Sequence, residues 1–190
     1  MMLTALLMSL LLAQAGDTNV APLADTYPLP CTYWSERDLE TVEHCAAQTA
    51  DGYSIAPAIL ADLSYTDDLA TITFPGHQWF YRHRNGRLVE VLTYDNGPDA
   101  FAEGLARGRI GDDLVYIDHD LDVKISAPYT FGFPFENGRA DVCTGCVSKP
   151  VGNGEYSYMA GGLWGVIDKQ GREIVKLAPL PEQGEKPAKP

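Results

Sequence analysis

The chain of 190 residues reads as mainly β, built from consecutive antiparallel β-hairpins with a short N-terminal α-helix. Two observations predict that class. Apolar runs are short, rich in Val, Ile and Tyr, and punctuated by Gly and Pro, which suits strands better than helices. Polar turns follow these runs at matching positions, as they do in an array of one repeated unit.

In chain order, the N-terminus reads as a targeting segment. Leu3 to Leu12 is nearly unbroken apolar sequence, followed by Ala13-Gln14-Ala15 and then Gly16. Small residues at Ala13 and Ala15 fit a signal-peptidase site, so residues 1–15 are expected to be a signal peptide. No Lys or Arg precedes the apolar run, which departs from the usual pattern and leaves only the α-amino charge. The run is too short for a permanent bilayer-spanning helix, and no later stretch reads as a membrane span. In the following segment, 16–52, Ser35-Glu36-Arg37-Asp38 before Leu39, Val42, Cys45 and Ala46 reads as a capped short helix.

Residues 53–177 carry internal similarity. Trp79 to Arg87, Leu114 to Asp122 and Trp164 to Arg172 align without gaps. Each has a large apolar or aromatic residue first, then apolar residues, a polar turn and a further strand-like run. A second signature, Phe-x-x-Gly-x-Ala, occurs at Phe101 to Ala106 and at Phe135 to Ala140, with a weaker copy at Leu69-Ala70-Thr71-Ile72. The step from Gly86 to Leu121 agrees with that from Phe101 to Phe135 to within one residue. The longer step to Gly171 places an insertion around Val142 to Ala160. Asp168-Lys169-Gln170-Gly171 has the chemistry of a hairpin turn: Asp bonds following amides, and Gly accepts a positive φ. Leu121 lacks that freedom, so a different turn or a longer loop is expected in the middle hairpin. The tail, 178–190, is rich in Pro, Lys and Glu and reads as disordered.

The arrangement resembles the WG-repeat family. The third copy carries the Trp164-Gly165 pair, Ile167-Asp168 and the turn Gly171. The first has Trp79-Phe80 instead, and the second lacks both the Trp and the turn Gly. The resemblance implies stacked β-hairpins and no established catalytic residues, and it supplies no ligand.

The 26 acidic residues against 14 basic give a formal charge of −12, which argues against a general nucleic-acid binder. The four cysteines, Cys31, Cys45, Cys143 and Cys146, suggest disulfides in an exported chain, and local pairs Cys31–Cys45 and Cys143–Cys146 are favoured. Cys143-Thr144-Gly145-Cys146 is also the spacing of a thiol–disulfide redox site, although such a site usually opens a helix. The Cys-x13-Cys spacing does not suit a two-knuckle zinc site. His83 and His119 fall at turn positions held by Asp or Lys in other copies, and His44 reads as a surface residue. The acidic clusters Asp67-Asp68, Asp112-Asp113 and Asp118/Asp120/Asp122 lack the Gly and distal Glu of a calcium loop. Trp79 and Trp164 are expected to pack between hairpins, and Phe131, Phe133 and Phe135 to face a core.

These observations name no catalytic, cofactor or metal residues. The expectation is a non-enzymatic binding or structural module, periplasmic or secreted, with a protein or glycan partner. A thiol–disulfide protein using Cys143 and Cys146 is the alternative.

Overall fold

The computed structural model describes residues 23–50, 52–94, 96–154 and 156–180. The expected signal peptide and residues 181–190 of the expected tail lie outside them. Among the described residues helix is confined to one turn, α1 (Leu23–Thr26), and to α2 (Pro57–Asp62), and the strands pair antiparallel.

The first meander is β1 (Leu29–Trp34), β2 (Leu39–Thr49) and β3 (Gly52–Ile55). The second, after α2, is β4 (Leu69–Phe74), β5 (Gln78–His83) and β6 (Leu88–Val91). A small hairpin, β7 (Thr93–Tyr94) and β8 (Gly97–Pro98), leads to the third: β9 (Ala106–Ile110), β10 (Asp113–Ile117) and β11 (Val123–Ser126). All three join in one nine-stranded sheet, ordered β11-β10-β9-β6-β5-β4-β1-β2-β3. A four-stranded sheet follows, ordered β12-β13-β16-β17: β12 (Phe131–Gly132), β13 (Arg139–Thr144), β16 (Leu163–Asp168) and β17 (Glu173–Pro179). Between β13 and β16 a separate hairpin, β14 (Val147–Val151) with β15 (Tyr156–Ala160), stands out as an arm. It occupies the stretch where the sequence comparison places an insertion.

The segment read as a capped helix is strand β2. Ser35 does accept backbone N–H bonds, from Arg37 and Asp38 at 3.1 Å each, but it closes the β1–β2 turn. Serine–amide bonding is common to helix N-caps and tight turns, so the motif did not specify a helix. β-Branched Thr41, Val42 and Thr49 favour the strand, and the Cys31–Cys45 disulfide ties it to β1.

The three aligned turns share their geometry. The amides of Gly86, Leu121 and Gly171 donate to the carbonyls of His83, Asp118 and Asp168 at 3.0, 3.0 and 2.8 Å. The side chain of that first residue accepts the amide two positions on: Asn85 N to His83 Nδ1 at 2.9 Å, Asp120 N to Asp118 Oδ1 at 3.1 Å, and Gln170 N to Asp168 Oδ1 at 3.0 Å. The expectation of a different turn at Leu121 is corrected. Leu121 adopts a φ of 59° in the same turn, and its side chain is buried with Leu69, Tyr81, Val91 and Ile117. Burying a leucine offsets a left-handed cost of about 1–2 kcal/mol.

A second turn type leads into β4, β9 and β13. Thr66 and Leu69, Ala102 and Leu105, and Glu136 and Arg139 exchange reciprocal backbone bonds. Each encloses two residues at positive φ: Asp67-Asp68, Glu103-Gly104 and Asn137-Gly138. Residues of matching turns also touch. Asn85 Nδ2 donates to Asp120 O at 3.4 Å, and Gly138 N donates to Glu103 Oε2 at 3.0 Å, each across a separation of 35 residues.

Three apolar clusters fill the interior. α2 helps close the first through Ile59, over Tyr33, Ile72, Phe74 and Phe80. The second lies between the two sheets and includes Leu114, Tyr116, Phe135, Val142 and Ile167. The third includes Tyr81, Val115, Ile117 and Leu121. The expected common core face for Phe131, Phe133 and Phe135 is corrected: Phe135 is buried and Phe133 is 46% exposed. β12 ends at Gly132, so the alternation does not continue as one strand. β17 runs through Pro179, two residues into the segment expected to be a tail.

Candidate functional site

The four-stranded sheet, which holds the third aligned turn and is the third unit, gathers aromatic and apolar side chains on one face, where Phe133 is 46% exposed and Trp164 and Val166 are half-buried. Across the small sheet, Phe131 lies opposite Cys143, Cys143 opposite Trp164, and Trp164 opposite Ala178. Partners directly opposite share a face. Phe133, whose amide bonds the Asp141 carbonyl at 2.8 Å, adds the next row beside Val166, opposite Asp141. The rings of Phe131 and Phe133 are 5.1 Å apart, and those of Phe133 and Trp164 are 6.2 Å apart. A hollow of about 640 Å³ opens beside them, lined by Phe133, Pro134, Glu136, Arg139, Asp141 and Val166.

Gly165 shapes this surface. The β16–β17 register shifts between Trp164 and Val166. A Cβ at Gly165 would lie 2.7 Å from the Val175 carbonyl and 3.1 Å from the Leu177 amide, so only glycine admits β17 at that distance. Trp164 is half-buried, and its Nε1 donates to Gly161 O at 2.8 Å. The arm, which joins β13 to β16, carries exposed Val147, Val151 and Tyr158. An isolated two-stranded hairpin is marginal in water; this one is anchored at its root by the Cys143–Cys146 disulfide and by Gly162, where a Cβ would meet the Cys146 amide at 2.5 Å.

All four cysteines are paired, as Cys31–Cys45 and Cys143–Cys146. Cys143 and Cys146 are both buried, between the end of β13 and the start of β14, and no helix begins there. His83 is nearly covered and serves as a turn acceptor, so its alignment with Asp118 and Asp168 marks a shared acceptor position rather than a merely solvated one. His119 is exposed, and its ring stacks on Phe101 with centroids 3.8 Å apart. Trp79 packs against the third cluster.

The acidic residues serve the turns. Burial pushes the Asp118 carboxyl up, but the Lys124 ammonium and the amides of Asp122 and Asp120 outweigh it and hold it below the usual 3.8. Asp168 is also held low, its desolvation outweighed by the Arg172 amide and guanidinium and the Gln170 amide. Among the described residues no group of acidic, His or Cys side chains is arranged to hold a metal ion.

Sequence reasoning missed the buried ion pair of Asp99 and Arg107, exposed 2% and 4%. Arg107 Nε donates to Asp99 Oδ2 at 3.1 Å, its second guanidinium arm bonds Asp99 Oδ1, and Arg107 Nη1 reaches Gly132 O at 2.9 Å. Tyr81 Oη donates to Asp99 O at 2.8 Å, and burial, then the Asp99 charge, pushes its pKa up to about 12. The pair thus links β5, β9 and β12. Its only sequence signal is an Arg where the aligned copies have Thr71 and Asp141.

No helix among the described residues is long and apolar enough to cross a membrane. Comparisons with protein-family models, with curated proteins and with solved structures returned no match.

Proposed function

We propose that this chain is an exported, non-enzymatic protein of the WG-repeat type. Its hairpin units form a scaffold that presents the bare face of the third unit, with the β14–β15 arm, to a protein partner. One observation carries this reading: Phe133 is exposed beside half-buried Trp164, and the arm between β13 and β16 of the same sheet exposes Val147, Val151 and Tyr158. Large apolar groups gathered on a surface mark interaction sites more often than isolated ones do. The matched turns support the repeat reading. The paired cysteines and the segment before Gly16 support export, since disulfides persist in oxidising compartments.

The test immobilises the mature chain from Gly16 and challenges it with the exported protein fraction. A discrete partner should be retained by the native chain and lost with Phe133→Ser or Val151→Ser. Retention unchanged by both substitutions would overturn the placement of the surface. Hydrolytic turnover abolished by neutralising an acidic cluster would overturn the non-enzymatic reading. Redox use of Cys143 and Cys146 would show as a bond readily reduced in the folded chain and exchanging with protein thiols; a bond that resists reduction until denaturant is added is expected.

A further inference from the structure

A second surface, distinct from the bare face of the third unit, lies on the nine-stranded sheet where β1 and β4 meet the third apolar cluster. It is a cleft of about 420 Å³, within the range of about 300–1,000 Å³ common for small-ligand sites. Trp34 at the end of β1 forms one wall and is 51% exposed. Phe101 forms another, its ring stacked on His119 at 3.8 Å and 5.3 Å from that of Tyr81. Ser64, Thr66, Thr71 and Asp67 supply the polar lining.

We propose that this cleft binds an uncharged pyranose unit of an oligosaccharide. A pyranose presents C–H groups on its faces and hydroxyls around its rim, so its recognition needs flat aromatic walls bordered by hydrogen-bonding groups. The cleft offers both. The side-chain oxygens of Ser64, Thr66, Thr71 and Asp67 make no hydrogen bond or ion pair with described residues, so their bonding capacity faces the opening. Ser35 differs, since its hydroxyl is engaged in the β1–β2 turn. The hydroxyl-rich lining distinguishes the cleft from a hydrophobic peptide groove.

Charge selects within the sugars. Among the described residues no Lys or Arg lines the cleft while Asp67 does, so a uronic acid or sulfated unit would place its anion beside an acidic side chain without a basic partner. Arg84, in the turn after β5, is paired with Asp68 at 3.2 Å and lies over the Tyr65 ring at 4.1 Å. The positions of the polar groups are set by backbone geometry. Thr66 and Asp67 belong to the reciprocal turn before β4, and the Ser64 amide bonds the Trp34 carbonyl at 2.8 Å, which fixes the polar segment beside the Trp34 wall.

The test is calorimetric titration of the full mature chain with cellotriose, maltotriose and the N-acetylglucosamine trimer, beside a galacturonic acid trimer and free indole. At least one neutral trisaccharide should bind with millimolar or tighter affinity. Trp34→Ala should weaken that binding by about tenfold or more, Trp34→Phe should restore part of it, and Asp67→Asn should weaken it by about threefold or more. Phe133→Ser should leave it unchanged, which separates this site from the proposed partner surface. No neutral binding at about 10 mM, binding of the acidic trimer or indole alone, or binding indifferent to Trp34→Ala would each overturn the proposal. Backbone circular dichroism of each variant shows whether a loss of binding reflects a loss of fold.

Discussion

The middle and last units use the same turns yet differ in what covers their strands. In β10, Leu114, Val115, Tyr116 and Ile117 are all buried, because the small sheet packs on one face and the third cluster on the other. In β16, at aligned positions, Gly165 and Ile167 are buried while Trp164 and Val166 are half-buried. Local turn chemistry therefore forms the hairpin, while packing from elsewhere decides whether it becomes core or surface. The same contrast appears one strand earlier. Arg107 in β9 is buried against Asp99, and its aligned counterpart Asp141 in β13 is exposed beside the hollow.

That contrast is broken most severely at the ion pair. Arg107→Ala or Asp99→Ala should cost about 3–5 kcal/mol, because the partner charge is left buried. Asp141→Ala should change stability by no more than about 0.5 kcal/mol. Urea unfolding midpoints compare the two directly.

The two disulfides should separate next. Cys31–Cys45 spans 14 residues and Cys143–Cys146 spans 3. Loop-closure entropy gives about 3 kcal/mol for removing the first and about 2 kcal/mol for the second. Denaturant melts of the double-serine variants test this, and the second should also loosen the arm, read as faster amide exchange across 147–160. Gly165→Ala should cost about 1–3 kcal/mol, since β17 must move to accept a methyl group. It should do so without affecting the nine-stranded sheet, as judged by exchange at β4 and β5.

The turns give a smaller effect. His83→Ala should cost about 1 kcal/mol by leaving the Asn85 amide without its acceptor, while His83→Asp should retain most of that stability. Asp118 and Asp168 add a pH signature. Their folded pKa values lie below 3.8, so their stabilisation is present above that value and is lost as pH falls through the folded pKa. Acid unfolding should shift to higher pH in Asp118→Asn and Asp168→Asn.

These cases also mark what was legible in the sequence. The turns were readable because Asp168 to Gly171 bonds within itself, and the arm stands in the stretch where the alignment of the turns expects extra residues. The β2 misreading arose where local chemistry is shared: Ser35 bonds amides in a helix cap and in a tight turn alike. Leu121 was misjudged because its compensation comes from Tyr81 and Val91, distant in sequence. The Asp99–Arg107 pair, the bareness of Phe133 and the aromatic cleft at Trp34 were not readable, since each depends on which elements meet in space.

The most direct test of the account places a photo-crosslinking residue singly at Phe133, Val151 or Ile110 in the full chain. All three positions are solvent-exposed, but Ile110 lies at the end of β9 in the nine-stranded sheet and belongs to neither the four-stranded sheet nor the arm. The account predicts the same discrete protein adduct from Phe133 and Val151 and none from Ile110. No adduct at the first two, or the same adduct from all three, would contradict it.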